Sequence, residues 1–178
     1  MKIFKSSILI ILLLIASTFL VISCSNDIPK SDLVVKNNLL YKSDSNLPFT
    51  GHEKAKVENN IIEYDVKDGY KHGMFKLYDL DGNLQMHGQL DSNRNVGKWE
   101  YFYQDGTLES EGNFYYDHPD GKWRWYYSDG KIKEEGYFKN GARTGIWSQF
   151  TTDGKIFNQK NYDLKDSSDT EQNNSEDE

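Results

Sequence analysis

The sequence predicts an all-β protein: an elongated, single-layer antiparallel sheet of tandem β-hairpins with a repeat period of 24. Three observations carry that expectation. The segments GMFKLYDLDGNLQMHGQL, GKWEYFYQDGTLESEGNF, GKWRWYYSDGKIKEEGYF and GIWSQFTTDGKIFNQKNY align with their opening glycines Gly73, Gly97, Gly121 and Gly145 spaced 24 residues apart. Their Asp-Gly pairs, Asp81-Gly82, Asp105-Gly106, Asp129-Gly130 and Asp153-Gly154, keep the same period. Aromatic residues make up 14% of the chain, and 12 of them are tyrosine, which suits a thin sheet that covers itself with rings. A fixed period of this size marks an array in which no unit can bury its apolar face alone.

Asp-Gly between runs of aromatic and β-branched residues signals a hairpin, because a type I′ turn needs positive φ at both central positions. With a two-residue turn, Tyr103 faces Leu108, Tyr101 faces Ser110 and Trp99 faces Gly112. The same count sets Phe75 opposite Gly88 and Trp123 opposite Gly136. Each large ring then lies over the bare backbone of its own unit's glycine. Alternation along the strands gives one face Trp99, Tyr101, Tyr103, Leu108 and Phe114 as core, and the other Glu100, Phe102, Glu109, Glu111 and Asn113. One ring per unit falls on that polar face: Tyr78, Phe102, Tyr126 and Phe150. Either these four form an exposed aromatic stripe for binding, or a bulge turns them inward.

The pattern Gly-x-Trp-x-x-Tyr/Phe, Asp-Gly-x-Leu/Ile, Gly-x-Phe resembles MORN-type repeats, in particular the bacterial variant of the YwqK-type antitoxin family. Pro48-Phe49-Thr50-Gly51 looks like the opening of the same array, so the resemblance covers roughly residues 47–162. It implies a sheet that grows hairpin by hairpin and serves as a contact surface, with no catalytic residues to carry over.

At the N-terminus, Lys2 and Lys5 precede an apolar run from Ile8 through Ile22 broken only by Ser17 and Thr18, the pattern of a cleaved signal helix over residues 1–23. Val21-Ile22-Ser23-Cys24 resembles the lipobox of bacterial lipoproteins. That resemblance implies cleavage between Ser23 and Cys24 and acylation of Cys24, the only cysteine. Each buried methylene of an acyl chain contributes about 0.8 kcal/mol, and lasting attachment takes more than one chain. Cleavage removes Lys2 and Lys5 and takes the formal charge from −7 to −9. The expected location is the cell envelope, and the outer membrane where a cell has two, since Ser25 after the cysteine fits that sorting by resemblance.

Residues 24–38 read as a largely polar tether, in which Leu33-Val34-Val35 is a candidate short strand second to Leu39-Leu40-Tyr41. Residues 39–162 read as the repeat domain, with Leu39-Leu40-Tyr41 as a short strand and Val57, Ile61, Ile62, Tyr64 and Val66 as a degenerate first hairpin turning at Asn59-Asn60. In the last unit Lys160 replaces the glycine of its predecessors, Gly88, Gly112 and Gly136. A lysine among Asn158, Gln159 and Asn161 on a terminal strand blunts edge-to-edge pairing. Residues 163–178 set seven carboxylates against Lys165, too polar to bury a core, and are expected to be disordered.

The acidic balance argues against nucleic acid as a partner. A single cysteine excludes an internal disulfide and a two-cysteine metal site, and His52, His72, His87 and His118 have no ligand spacing. The turn aspartates are explained by turn chemistry. No cofactor or metal is expected, and an enzyme is not. The expected function is a lipid-anchored envelope protein whose sheet binds a protein or an envelope glycan; the alternative is an antitoxin or immunity protein directed at a toxin.

Overall fold

The computed structural model describes residues 28–163, so the signal segment, Ser23, Cys24 and all of the acidic tail but Asp163 lie outside the described residues. Its strands are β1 (Leu33–Lys36), β2 (Leu39–Lys42), β3 (Gly51–Val57), β4 (Asn60–Lys67), β5 (Tyr70–Asp79), β6 (Leu84–Asp91), β7 (Arg94–Phe102), β8 (Leu108–Tyr115), β9 (His118–Tyr126), β10 (Ile132–Lys139), β11 (Ala142–Phe150) and β12 (Ile156–Asn161). Strands β3 to β12 form one ten-stranded antiparallel sheet in strict sequence order. No helix occurs among the described residues.

Strands β1 and β2 pair only with each other. Both candidate strands form: the Leu33-Val34-Val35 run becomes β1 within the tether, and Leu39–Lys42 completes a hairpin with it instead of joining the array. The hairpin packs against the Asp68-Gly69 turn, where the Leu40 amide donates to the Gly69 carbonyl at 2.9 Å. The first repeat hairpin turns at Glu58-Asn59, one residue before the expected pair, because Val57 pairs with Asn60.

The four repeat pairs, Asp81-Gly82, Asp105-Gly106, Asp129-Gly130 and Asp153-Gly154, do not form type I′ turns. Only the glycine is left-handed, with Gly106 at φ 83°, while Asp105 keeps negative φ. Gly106 donates to the Tyr103 carbonyl and the Tyr103 amide to the Thr107 carbonyl, closing a three-residue loop. This loop sets Phe102, not Tyr103, opposite Leu108. A bulge at Glu109 then restores the expected register, so Tyr101 faces Ser110 and Trp99 faces Gly112. In the ten-stranded sheet the turns with two left-handed residues lie at the other ends of the strands, at Asp68-Gly69, Ser92-Asn93, Tyr116-Asp117 and Asn140-Gly141, joining one unit to the next.

Between units the ladder slips at each conserved-position glycine of the repeat. Gly88 stands between the pairs His87–Glu100 and Gln89–Val96, so it faces three residues, Gly97 to Trp99. The extra residues are accommodated because Gly97 takes φ 63°, as Gly121 and Gly145 do at 83° and 62°. The opening glycine of each unit is thus the hinge of an inter-unit bulge.

Candidate binding face

A single-layer sheet has no second layer to cover its rings, yet Trp99, Trp123 and Trp147 are only 4%, 6% and 3% exposed. Each lies over the glycine of the preceding unit. A methyl on Gly88 would sit 2.1 Å from the Trp99 ring, one on Gly112 2.1 Å from Trp123, and one on Gly136 2.2 Å from Trp147. The expectation that a ring covers its own unit's glycine is therefore corrected: the inter-unit bulge swings each tryptophan backwards across the junction. Each indole Nε1–H then donates to the carbonyl one residue past that glycine, Gln89, Asn113 and Tyr137, at 3.2, 3.1 and 3.0 Å. Phenylalanines seal the flank edge-on, with Phe114 5.2 Å from Trp123 and Phe138 5.0 Å from Trp147. Every junction is stapled by an aromatic residue, which stiffens the layer that carries the opposite face.

That opposite face carries the row Tyr78, Phe102, Tyr126 and Phe150. The bulges fall on the partner strand, at Gln85, Glu109, Lys133 and Phe157, so they do not turn the row inward. The four rings are half-buried among charges. Phe102 stacks on the His87 ring at 5.7 Å, Lys54 Nζ lies 5.6 Å from the centre of Tyr78, and the Tyr126 hydroxyl donates to Glu111 at 2.6 Å.

Around the rings runs a ladder of cross-strand ion pairs. His87 meets Glu100 at 2.8 Å, Lys98 meets Glu100 at 2.6 Å and Glu111 at 2.9 Å, Arg124 meets Glu111 at 3.6 Å and Glu135 at 3.3 Å, and Lys122 meets Glu135 at 2.9 Å. Hydrogen bonds from Tyr126 and then Lys98 hold the Glu111 carboxyl below the usual glutamate range. Burial works against ionisation of Glu135, but its bonds from Lys122 and Arg124 prevail and lower it as well. Burial, reinforced by Glu111, pushes the Tyr126 phenol up to about 12. Lys98 is raised by its bonds to Glu100 and Glu111, so its ammonium stays charged at neutral pH.

The face is dimpled where the glycines leave room. One hollow of about 190 Å³ is lined by Met74, His87, Gly88, Gln89, Lys98 and Glu100. A second of about 390 Å³ is lined by Lys98, Glu111, Gly112, Asn113, Lys122 and Arg124. The two sets correspond one to one at a spacing of 24, so they are the same hollow with different walls. At the third position the period brings Tyr137 and Ile146, both exposed. The sequence pointed to the ring row but not to these hollows; the recurring Gly88, Gly112 and Gly136 were the signal for them.

Of the other histidines, His52 meets Asp65 at 2.8 Å and Glu63 at 3.5 Å, and His72 meets Asp91 at 3.3 Å. Each turn aspartate described by a shift, Asp105, Asp129 and Asp153, is lowered first by a side-chain hydrogen bond within its own loop, from Thr107, Lys131 and Thr151.

Residues 95–114, 119–140 and 143–164 match the family model described as MORN repeat variant. The chain therefore carries MORN-type repeats, and the matched stretches contain the second strand of each tryptophan junction described above. No curated protein matches the chain. Similar solved structures include a chain of the Glycosylation Associate Protein (Gap123) complex from Streptococcus agalactiae, 16% identical with a TM-score of 0.35 over 65% of this chain. Another is a chain of the GtfA/B complex bound to UDP and GlcNAc, 9% identical with a TM-score of 0.23 over 74% of this chain. This chain spans 22% and 28% of the length of those two.

Proposed function

We propose that this is a non-catalytic, lipid-anchored protein of the bacterial cell envelope, and that its charged face binds a protein or an envelope glycan. The observation that carries the reading is the hollow repeated at a fixed spacing with changing walls, set beside a regular row of rings on a layer stiffened by tryptophan staples. Such a surface offers several contacts of different chemistry in fixed relation, which suits an extended partner more than a small substrate. The carboxylates support a non-catalytic role, because every displaced one among the described residues is displaced downward, away from the neutral range a general acid needs. Cys24 and the preceding Ser23 supply the anchor and its cleavage point, and Ser25 favours the outer membrane where there are two.

The test is capture from detergent-solubilised membranes and from purified peptidoglycan and polysaccharide, with the wild-type chain and with Phe102→Ala and Phe150→Ala. A partner held by the wild type and lost by either variant that keeps its circular dichroism supports the reading. Absence of any protein or polymer on the wild-type bait overturns it.

The formal charge of −7 favours a second reading, an immunity protein that covers the basic surface of a toxin met in the envelope. Deletion cells that survive the neighbouring toxin gene product as well as the parent strain would refute that alternative.

A further inference from the structure

We propose that the protein stands on its membrane by its N-terminal end, with the β1–β2 hairpin and the loop that follows it resting on anionic lipid headgroups. This rests on the acylated Cys24 of the preceding reading. Four residue steps separate Cys24 from Ile28, the first described residue, and a fully extended chain covers them in at most about 14 Å. From there the chain is fixed to the sheet, since the Lys56 amide donates to the Pro29 carbonyl at 3.0 Å. The anchor therefore holds the β3 edge of the array near the bilayer. The β12 edge is nine strand spacings away, roughly 45 Å.

What the structure exposes at that end fits a lipid surface. Among the described residues the two most exposed large apolar side chains are Leu47, at 76%, and Val35, at 70%, and both belong to this short segment. Lys30, Lys36 and Lys56 are exposed beside them, and no carboxylate pairs with any of the three among the described residues. In the third repeat Lys122, Arg124 and Lys131 are instead locked to Glu135, Glu111 and Asp129, and Lys133 lies 5.9 Å from the centre of the Tyr127 ring. Residues 28–56 carry five lysines against three carboxylates, whereas residues 142–178 carry four basic residues against eight carboxylates. An anionic surface attracts the first end and repels the second, so the array is tipped upright.

The full-length lipoprotein, purified from membranes and reconstituted into vesicles of phosphatidylethanolamine and phosphatidylglycerol, tests this. Single variants Val35→Cys, Leu47→Cys and Thr152→Cys are labelled with a polarity-sensitive fluorophore; acylation consumes the native thiol, so each label is unique. Spin-labelled lipid should quench labels at 35 and 47 by about twofold or more and leave the label at 152 unchanged. Unquenched labels at 35 and 47, in protein whose N-terminal peptide mass shows acylated Cys24, overturn the proposal while the anchor stands. Equal quenching at 152 also overturns it, since the array would then lie flat. A peptide mass without fatty acid refutes the anchor itself and, with it, this orientation.

Discussion

Replacing Gly112 with alanine tests the junction on which the array depends. The added methyl would lie 2.1 Å from Cδ2 and 2.2 Å from Cε2 of Trp123. Carbon atoms rest at roughly 3.5–4.0 Å, so the ring must withdraw by about 1.5 Å. That withdrawal breaks the indole bond to the Asn113 carbonyl, now 3.1 Å, and opens the edge contacts with Phe114 and Phe138 at 5.2 and 6.0 Å. Overpacking costs about 1–3 kcal/mol and a lost hydrogen bond about 0.5–1.5 kcal/mol, so Gly112→Ala should lose about 2–4 kcal/mol. Gly112 has no positive φ, so the alanine brings no backbone penalty to confuse the result. Urea unfolding followed by tryptophan fluorescence reads the loss, and a double-mutant cycle assigns it. With Trp123→Ala the clash disappears, and the coupling should exceed about 1.5 kcal/mol. Coupling to Trp99→Ala, the residue that pairs with Gly112 along the strand, should be markedly smaller. Stability within about 0.5 kcal/mol of wild type, or a larger coupling to Trp99, would refute the cross-junction staple.

Further outcomes follow from the same geometry. Glu111→Gln removes the negative charge shared by Tyr126, Lys98 and Arg124 and turns one acceptor oxygen into a donor, and should cost about 1–2 kcal/mol near pH 7, measured by urea denaturation. Because the folded carboxyl is lowered, its contribution is present above the unfolded glutamate range and lost as pH falls through the folded value, so wild type and variant should converge in acid. Four phenols, Tyr64, Tyr101, Tyr103 and Tyr126, are raised chiefly by burial; burial, aided by Glu53, pushes Tyr64 to about 12, and Tyr126 reaches about 12 as well. Their folded values are raised, so stability should hold below about pH 10 and fall as pH rises towards 12, read by urea denaturation across that range. Tyr116 occupies a left-handed turn position at φ 45°, and Tyr116→Gly should raise stability by about 1 kcal/mol in thermal melts despite losing the Arg94 contact. Lys160→Val removes a positive charge from the terminal strand β12 and should increase self-association, seen by sedimentation.

The sequence by itself determined the repeat, its spacing, the antiparallel hairpins and the division of each strand between a ring face and a charged face. Those features are local: alternation along a strand and a turn glycine act within one unit, and four copies printed the pattern repeatedly. It also marked where the array ends, since Lys160, among Asn158, Gln159 and Asn161, stands where the preceding units have Gly88, Gly112 and Gly136. Asp-Gly serves both a two-residue turn and a three-residue loop ending on a left-handed glycine, so the residue pair alone did not distinguish them. Of the turns with two left-handed residues, Ser92-Asn93 and Tyr116-Asp117 lack glycine and gave no such sign, whereas Asp68-Gly69 and Asn140-Gly141 carry it. Only the tertiary structure decided that each tryptophan crosses to the preceding unit, because the three-against-one slip opposite Gly88 depends on two strands 9 or more residues apart settling together. The same holds for the separate β1–β2 hairpin, whose place is set by the Asp68-Gly69 turn it packs against. Contacts between units are chosen by the fit of side chains already in place, and a pattern read along one strand does not contain that fit.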